Sequence, residues 1–164
     1  MRRASLIAAA GCVLFVAAAG GAPAATKVNG AAIFADQCSA CHQANGQGMA
    51  GQFPPLAHNS DIFLARDYPA RAVLFGLSGK IDVGGKSFDG VMPPLGVLND
   101  EEIAAVVNYV RTAWGNAALR PKDMQAADAA MVAALRKNQA LAKQVYSYRQ
   151  SLRAKAGAAA NKRS

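Results

Sequence analysis

The pentapeptide Cys38-Ser39-Ala40-Cys41-His42 constrains this chain more than any other stretch. Two cysteines three positions apart, followed directly by a histidine, are typical of a site where haem c is attached covalently. One helical turn brings both thiols to the porphyrin edge that carries its two vinyl groups. The histidine that follows is then placed to bind the iron as its proximal ligand. The motif therefore predicts one covalent haem c held by Cys38, Cys41 and His42.

Three other interpretations of the cysteine pair are weaker. A redox dithiol is usually found in a thioredoxin-like βαβ pattern, which this sequence lacks. A zinc site needs a second pair of ligands, whereas the second histidine of the chain, His58, stands alone. A disulfide closed over so short a loop is strained, and it would leave His42 without a role.

The N-terminal stretch has the pattern of an export signal. Met1-Arg2-Arg3 is basic, Leu6 to Gly20 is apolar and rich in alanine, and Ala22-Pro23-Ala24 is typical of a cleavage site. We therefore expect a signal peptide at residues 1–24, cleavage near Ala24 and a mature chain in the periplasm. A membrane anchor is the main alternative, because the apolar run is nearly long enough to span a bilayer.

Cleavage would also settle the use of the cysteines. It removes Cys12, and the mature chain keeps only Cys38 and Cys41, both used for haem. No structural disulfide is then expected. The roughly 140 residues that remain are enough for one compact domain and an appendage.

Charge is distributed unevenly along the chain. Residues 26–118 contain six basic and eight acidic residues, a net charge of −2, whereas residues 119–164 contain ten basic and two acidic residues, a net charge of +8. We therefore divide the chain into a haem domain at residues 25–118 and a basic, helical C-terminal extension at residues 119–164. Export excludes nucleic acid as a partner. An acidic patch on a redox protein is the first choice for the extension, and an anionic membrane surface is the second.

Glycine, proline and capping residues divide the haem domain into short elements. Asn29 predicts the start of a helix that runs to the attachment motif, and Pro69 fits the first turn of a second helix. Asn99, followed by three acidic residues, predicts a third helix that ends at Gly115. Between the second and the third helix, Gly84-Gly85 separates two short segments in which apolar and polar residues alternate. This pattern predicts a β-hairpin with a two-residue turn.

From Thr26 to Asn116 the sequence resembles the class I cytochromes c, all-α haem domains that carry single electrons. In that family a glycine and an aromatic residue precede the first cysteine by eight and four positions, where this chain has Gly30 and Phe34. The glycine lets the last helix of the domain cross closely, here through Val106 and Tyr109. The resemblance also implies that a proline carbonyl accepts the ring N–H of His42, from Pro54 or from its neighbour Pro55.

The resemblance further implies a distal ligand, Met92, in the segment Gly90-Val91-Met92-Pro93-Pro94-Leu95. Two prolines stiffen this loop, so that a weak thioether–iron bond can persist. Met49, Met124 and Met131 are the other methionines of the mature chain. His58 would instead give bis-histidine ligation, and an open distal position would suit a haem enzyme or a gas-binding protein.

The hairpin, the Met92 loop and Leu98-Asn99-Asp100-Glu101-Glu102 are similar to one branch of this family. That branch comprises the cytochrome subunits and domains of periplasmic quinoprotein dehydrogenases and copper nitrite reductases. We therefore expect an electron carrier rather than an enzyme. The carrier would relay electrons between the respiratory chain and a redox partner, which is such a dehydrogenase or reductase, or a terminal oxidase.

The extension predicts one long helix from Pro121. An apolar stripe with three-four spacing runs over four heptads, from Met124 through Ala127, Met131, Ala134, Asn138, Leu141, Val145 and Tyr148 to Leu152. Such a stripe needs a surface to cover it. A partner, a second copy of the chain and the haem domain itself are the three candidates.

Overall fold

The computed structural model describes residues 28–162, and the predicted signal peptide at residues 1–24 lies outside them. The described chain is mostly helical, as predicted. The six α-helices are α1 (Gly30–Gln37), α2 (Ser39–His42), α3 (Tyr68–Phe75), α4 (Asp100–Thr112), α5 (Ala129–Lys137) and α6 (Ala142–Asn161). Two 3₁₀ turns, Ser60–Phe63 and Asn116–Leu119, and two strands, β1 (Ile81–Val83) and β2 (Lys86–Phe88), complete the elements. No helix within residues 28–162 combines the length and the hydropathy needed to cross a membrane.

Local sequence signals fix the starts of the principal helices. The side chain of Asn29 accepts hydrogen bonds from the amides of Ala31 and Ala32 at the start of α1. Asn99 and Glu102 form a reciprocal capping box at the start of α4. Both starts confirm the prediction. Helix α4 ends at Thr112, three residues before the expected stop, because Ala113 has already turned to an extended conformation.

Helices α1 and α4 cross at Gly30. A Cβ atom at this position would lie 2.2 Å from the carbonyl oxygen of Ala105 and 3.0 Å from Cβ of Tyr109. Tyr109 is thus at the crossing as expected. Ala105 is the residue of α4 nearest to Gly30, and Val106 packs with Phe34 in the core cluster at the same crossing. Beside the crossing, the ring of Phe34 is buried, with its centroid 4.8 Å from that of Trp114.

The predicted β-hairpin is confirmed. Strands β1 and β2 pair antiparallel, with Ile81 opposite Phe88 and Val83 opposite Lys86. Gly84 and Gly85 have φ angles of 57° and 76°, the left-handed conformation that a primed two-residue turn requires at both positions. Ile81, Val83 and Phe88 are buried, so that the hairpin places one apolar face on the core.

The extension differs from the single continuous helix that was predicted. Residues 121–128 are not helical, and α5 and α6 are separate because Asn138 and Leu141 leave the helical conformation. The heptad stripe was therefore wrong in α5, where Val132 and Leu135 are buried instead of Met131 and Ala134. Leu141, in the middle of the predicted stripe, is 72% exposed.

Both helices of the extension pack on the haem domain. Val132 and Leu135 join a core cluster with residues of α3 and α4, and Val145 joins a second cluster with α3 and the hairpin. Much of the apolar surface that was expected to need a partner is thus covered by the chain itself, whereas Leu141 stays exposed. The division of the chain between residues 118 and 119 stays a prediction.

A buried ion pair fastens α6 to the domain. Arg149 is 1% exposed, pairs with the carboxylate of Asp61 and donates a second hydrogen bond to the carbonyl oxygen of Asp82 at 2.7 Å. Arg153 also donates to Asp61, at 2.8 Å, but its side chain is 41% exposed. The two arginines share one carboxylate and differ in burial.

Gly30→Ala should lower the free energy of unfolding by about 1–3 kcal/mol, because the added methyl group would force α1 and α4 apart. Urea denaturation followed by circular dichroism measures the change. Gly157→Ala is the matched control: this glycine lies in α6 with nothing within 4 Å of its Cβ position, so the change should not lower stability. Equal losses in the two variants would contradict the close crossing.

Arg149→Ala should lower the free energy of unfolding by about 3 kcal/mol, since it deprives a buried carboxylate of its buried partner. Arg153→Ala, which removes the exposed partner of the same carboxylate, should cost less than about 1 kcal/mol. The same denaturation experiment compares them. If both losses are small, the ion pair does not fasten α6.

Candidate haem site

An apolar cavity opens between α1, α2, α3, the hairpin and α4, and the empty space in the cavity together with its open mouth is about 1060 Å³. The predicted site residues Cys38, Cys41, His42, Pro54 and Met92 all line it. Apart from the thiols and the imidazole, its lining within the described residues has only two polar side chains, Gln37 and Gln52. The cavity can therefore take a large apolar group that approaches the thiols, the imidazole and a thioether.

The attachment motif forms one turn of helix at the end of α1. Cys38 joins α1 to α2, and its carbonyl oxygen accepts the backbone N–H groups of Cys41 at 3.3 Å and of His42 at 3.0 Å. The two cysteines do not form a disulfide with each other. Burial, followed by repulsion from Cys41, raises the pKa of Cys38 to about 11. The high pKa reflects the low polarity of the cavity wall on which this thiol lies.

His42 has a defined orientation on the cavity wall. Its ring is largely buried, and its Nδ1–H donates to the carbonyl oxygen of Pro54 at 3.0 Å. Burial lowers the pKa of His42, and the hydrogen bond to Pro54 opposes this only in part. The imidazole is thus neutral at neutral pH, with the proton on Nδ1 and a lone pair on Nε2.

The acceptor of this hydrogen bond is Pro54 rather than Pro55. The carbonyl oxygen of Pro55 instead accepts the side-chain N–H of Asn59 at 2.8 Å. The loop that holds Pro54 is closed by backbone hydrogen bonds from Gly48 to the carbonyl of His42 at 2.9 Å and from Met49 to that of Phe53 at 2.8 Å. The histidine and its acceptor therefore belong to one closed loop.

Met92 is fixed to the end of α3 by its backbone. Its N–H donates to the carbonyl oxygen of Leu77 at 2.9 Å, and its own carbonyl accepts the N–H of Leu77 at 3.0 Å. Three residues later, the N–H of Leu95 donates to the carbonyl of Val73 at 2.8 Å. The side chain of Met92 is half-buried against the two core clusters that contain α3. Backbone hydrogen bonds thus hold the loop in place, and the thioether of Met92 lies on the cavity wall.

The other candidate ligands do not line this cavity. His58 is exposed and its ring lies over Gly115. Met49 is 43% exposed, and Met124 and Met131 pack at the edges of core clusters. Of the methionines in residues 28–162, Met92 is the one that the fold brings to the cavity that Cys38, Cys41 and His42 line.

Sequence reasoning did not single out Arg136 of α5, whose guanidinium donates hydrogen bonds to the segment that follows Met92. A single arginine in a basic helix gives no signal of its own, because its acceptors are mostly backbone carbonyls far away in sequence.

The residues present fit haem c. Two thiols one helical turn apart, an imidazole of fixed tautomer and a thioether line one apolar cavity. A porphyrin is flat and largely apolar, so burial in such a lining stabilises it. The fold and the site together define a helical domain for a single covalent haem.

Comparison with known proteins leads to the same class. The model of the cytochrome c family matches residues 28–114, more than half of the chain. A cytochrome c-552 of Thermus thermophilus is 48% identical over 101 residues, which cover 59% of this chain and 68% of that protein. The chain therefore belongs to the cytochrome c family: it is a class I c-type cytochrome with covalently bound haem c.

More distant relatives are subunits of dehydrogenases. The cytochrome c subunit of the quinone-dependent alcohol dehydrogenase of Gluconacetobacter polyoxogenes is 33% identical over 115 residues, 62% of this chain. The gluconate 2-dehydrogenase cytochrome c subunit of Pantoea cypripedii is 34% identical over 92 residues, 54% of this chain. The matched regions cover only 22% and 21% of those two proteins.

Proposed function

We propose that this cytochrome is a periplasmic one-electron carrier in which His42 and Met92 are the axial ligands of the haem iron. It relays electrons between a periplasmic dehydrogenase or reductase and the respiratory chain. The observation that carries the proposal is the placement of both side chains, with the two thiols, on the wall of one apolar cavity.

When bound, haem c supplies an iron that takes up and releases one electron. His42 offers Nε2 as a ligand because its Nδ1–H is held by Pro54, which fixes the tautomer and the plane of the ring. Met92 offers a thioether, which stabilises ferrous iron and raises the reduction potential. The apolar walls exclude water from both ligands and reduce the solvent reorganisation that accompanies a change of charge.

The lining of the cavity favours a carrier over an enzyme. Within residues 28–162 it includes no carboxylate, hydroxyl or lysine that could move a proton to or from a substrate. The alternative is a distal position that is open or that is ligated by histidine. The exposed position of His58 over Gly115 argues against histidine ligation. The presence of Met92 on the cavity wall argues against an open position.

The relatives support a redox protein as the partner. Those at 33–34% identity are cytochrome subunits of alcohol and gluconate dehydrogenases, so a dehydrogenase, including a quinoprotein one, is our first choice and a terminal reductase or oxidase the second. Val132, Leu135 and Val145 of the extension are buried against the haem domain. Basic residues such as Lys143 and Lys155 are exposed and are available for docking. These charges would attract an acidic patch, and the encounter would slow with salt.

Met92→Ala should leave haem attached, abolish the sulfur–iron charge-transfer band of the ferric protein and lower the reduction potential, because the thioether ligand is lost. Absorption spectroscopy and potentiometry measure the two effects. Met131→Ala is the matched control, since this methionine does not line the cavity, and it should keep both properties. An unchanged band in the Met92 variant would give the ligand role to another side chain.

A further inference from the structure

The guanidinium of Arg136 gathers three acceptors from the segment that follows Met92. Nη1 donates to the carbonyl oxygen of Gly96 and Nη2 to that of Leu98, each at 2.7 Å. Nε donates to the carboxylate of Asp100 at 2.8 Å. One planar cation thus joins the end of the Met92 loop to the first residue of α4.

This segment is only partly packed: Leu95 and Leu98 lie against the core cluster of α3, α4 and α5, whereas the residues between and before them do not. Pro93, Pro94, Gly96 and Val97 are exposed or only partly buried, and Val97 is 90% exposed. Burial therefore contributes little to holding these residues, and the hydrogen bonds to their carbonyls contribute correspondingly more. Upstream, the backbone pair between Met92 and Leu77 holds the other end of the loop.

Arg136 lies on a helix that is packed against the core. It lies in the last turn of α5, and the preceding residue Leu135 and Val132 one turn earlier are buried between α3 and α4. α3 and α4 also carry Val73 and Val107, which line the haem cavity. The position of the guanidinium is therefore determined by packing on the same two helices that form part of the cavity wall.

We propose that Arg136 is a positioning residue for the distal ligand, which keeps the Met92 loop where the thioether stays bound to the iron. The inference rests on the proposed ligation by Met92. Release of the carbonyls of Gly96 and Leu98 would free the exposed half of the loop, and Met92 would leave the iron before the rest of the domain unfolds.

The test compares Arg136→Ala with Arg66→Ala in the holoprotein. Arg66 is a matched control because it also ties the extension to the domain, through the carbonyl of Ala126 and the carboxylate of Asp128, and it does not touch the Met92 loop. The side chains are similarly exposed, 36% for Arg136 and 33% for Arg66. Hydrogen exchange of the amides of Met92 and Leu95 reports on the loop, the sulfur–iron band reports on ligation, and circular dichroism reports on global unfolding.

Arg136→Ala should raise the exchange rates of the two loop amides about tenfold, since it removes charge-assisted hydrogen bonds. It should also make the band disappear at a lower temperature than the helical signal. Arg136→Lys should lie between the variant and the wild type, because an ammonium cannot present the planar fork. Arg66→Ala should leave the loop amides and the order of the two thermal transitions unchanged.

Two results would overturn the inference in different ways. If the wild type shows the band but both alanine variants change only global stability, Arg136 is a general tie of the extension and not a positioning residue. If the wild type lacks the band, ligation by Met92 is wrong and the inference falls with the proposed function.

Discussion

An apolar cavity on which three core clusters converge is the constraint that organises this fold. Val73 and Val107 come from the cluster of α3, α4 and α5, Leu77 and Ile81 from the cluster of the hairpin and α6, and Val106 and Val110 from the cluster at the crossing of α1 and α4. Each cluster presents part of its apolar surface to the cavity. Haem c, once attached, therefore completes the core as well as the site, and its binding contributes to folding.

Hydrogen bonds to backbone carbonyl groups place the two candidate axial ligands within this constraint. His42 is oriented by the carbonyl of Pro54, and Met92 by its paired hydrogen bonds with Leu77. Neither arrangement needs a second functional side chain, which suits a site that must change charge without moving protons. The extension supports this geometry from behind, because α5 packs on α3 and α4, and α6 packs on α3 and the hairpin.

Features encoded within a few residues could be predicted from the sequence. The attachment motif, the caps at Asn29 and Asn99 and the glycine pair of the hairpin act locally, so the residue types alone indicate the structure. The candidate site followed from the motif and from a family resemblance, and the fold brings its residues to one cavity.

The path of the extension could not be predicted in the same way. The break between α5 and α6 contains neither glycine nor proline, and the heptad spacing runs through it without interruption, although of these two helices it matches the buried apolar side chains only in α6. The ion pair that fastens α6 joins Asp61 to Arg149, 88 residues apart, and a single sequence gives no signal for such a pair. The hydrogen bonds of Arg136 could not be predicted for the same reason, because their acceptors are also far away in sequence.

The most direct test of the account is proton and carbon NMR of the ferrous holoprotein labelled at the methionine methyl groups. An axial thioether lies under the porphyrin, so the ring current shifts its methyl resonance far upfield. We predict one such resonance, which belongs to Met92, while those of Met49, Met124 and Met131 keep ordinary shifts. A spectrum without an upfield methyl resonance, or with one that belongs to another methionine, would contradict the account.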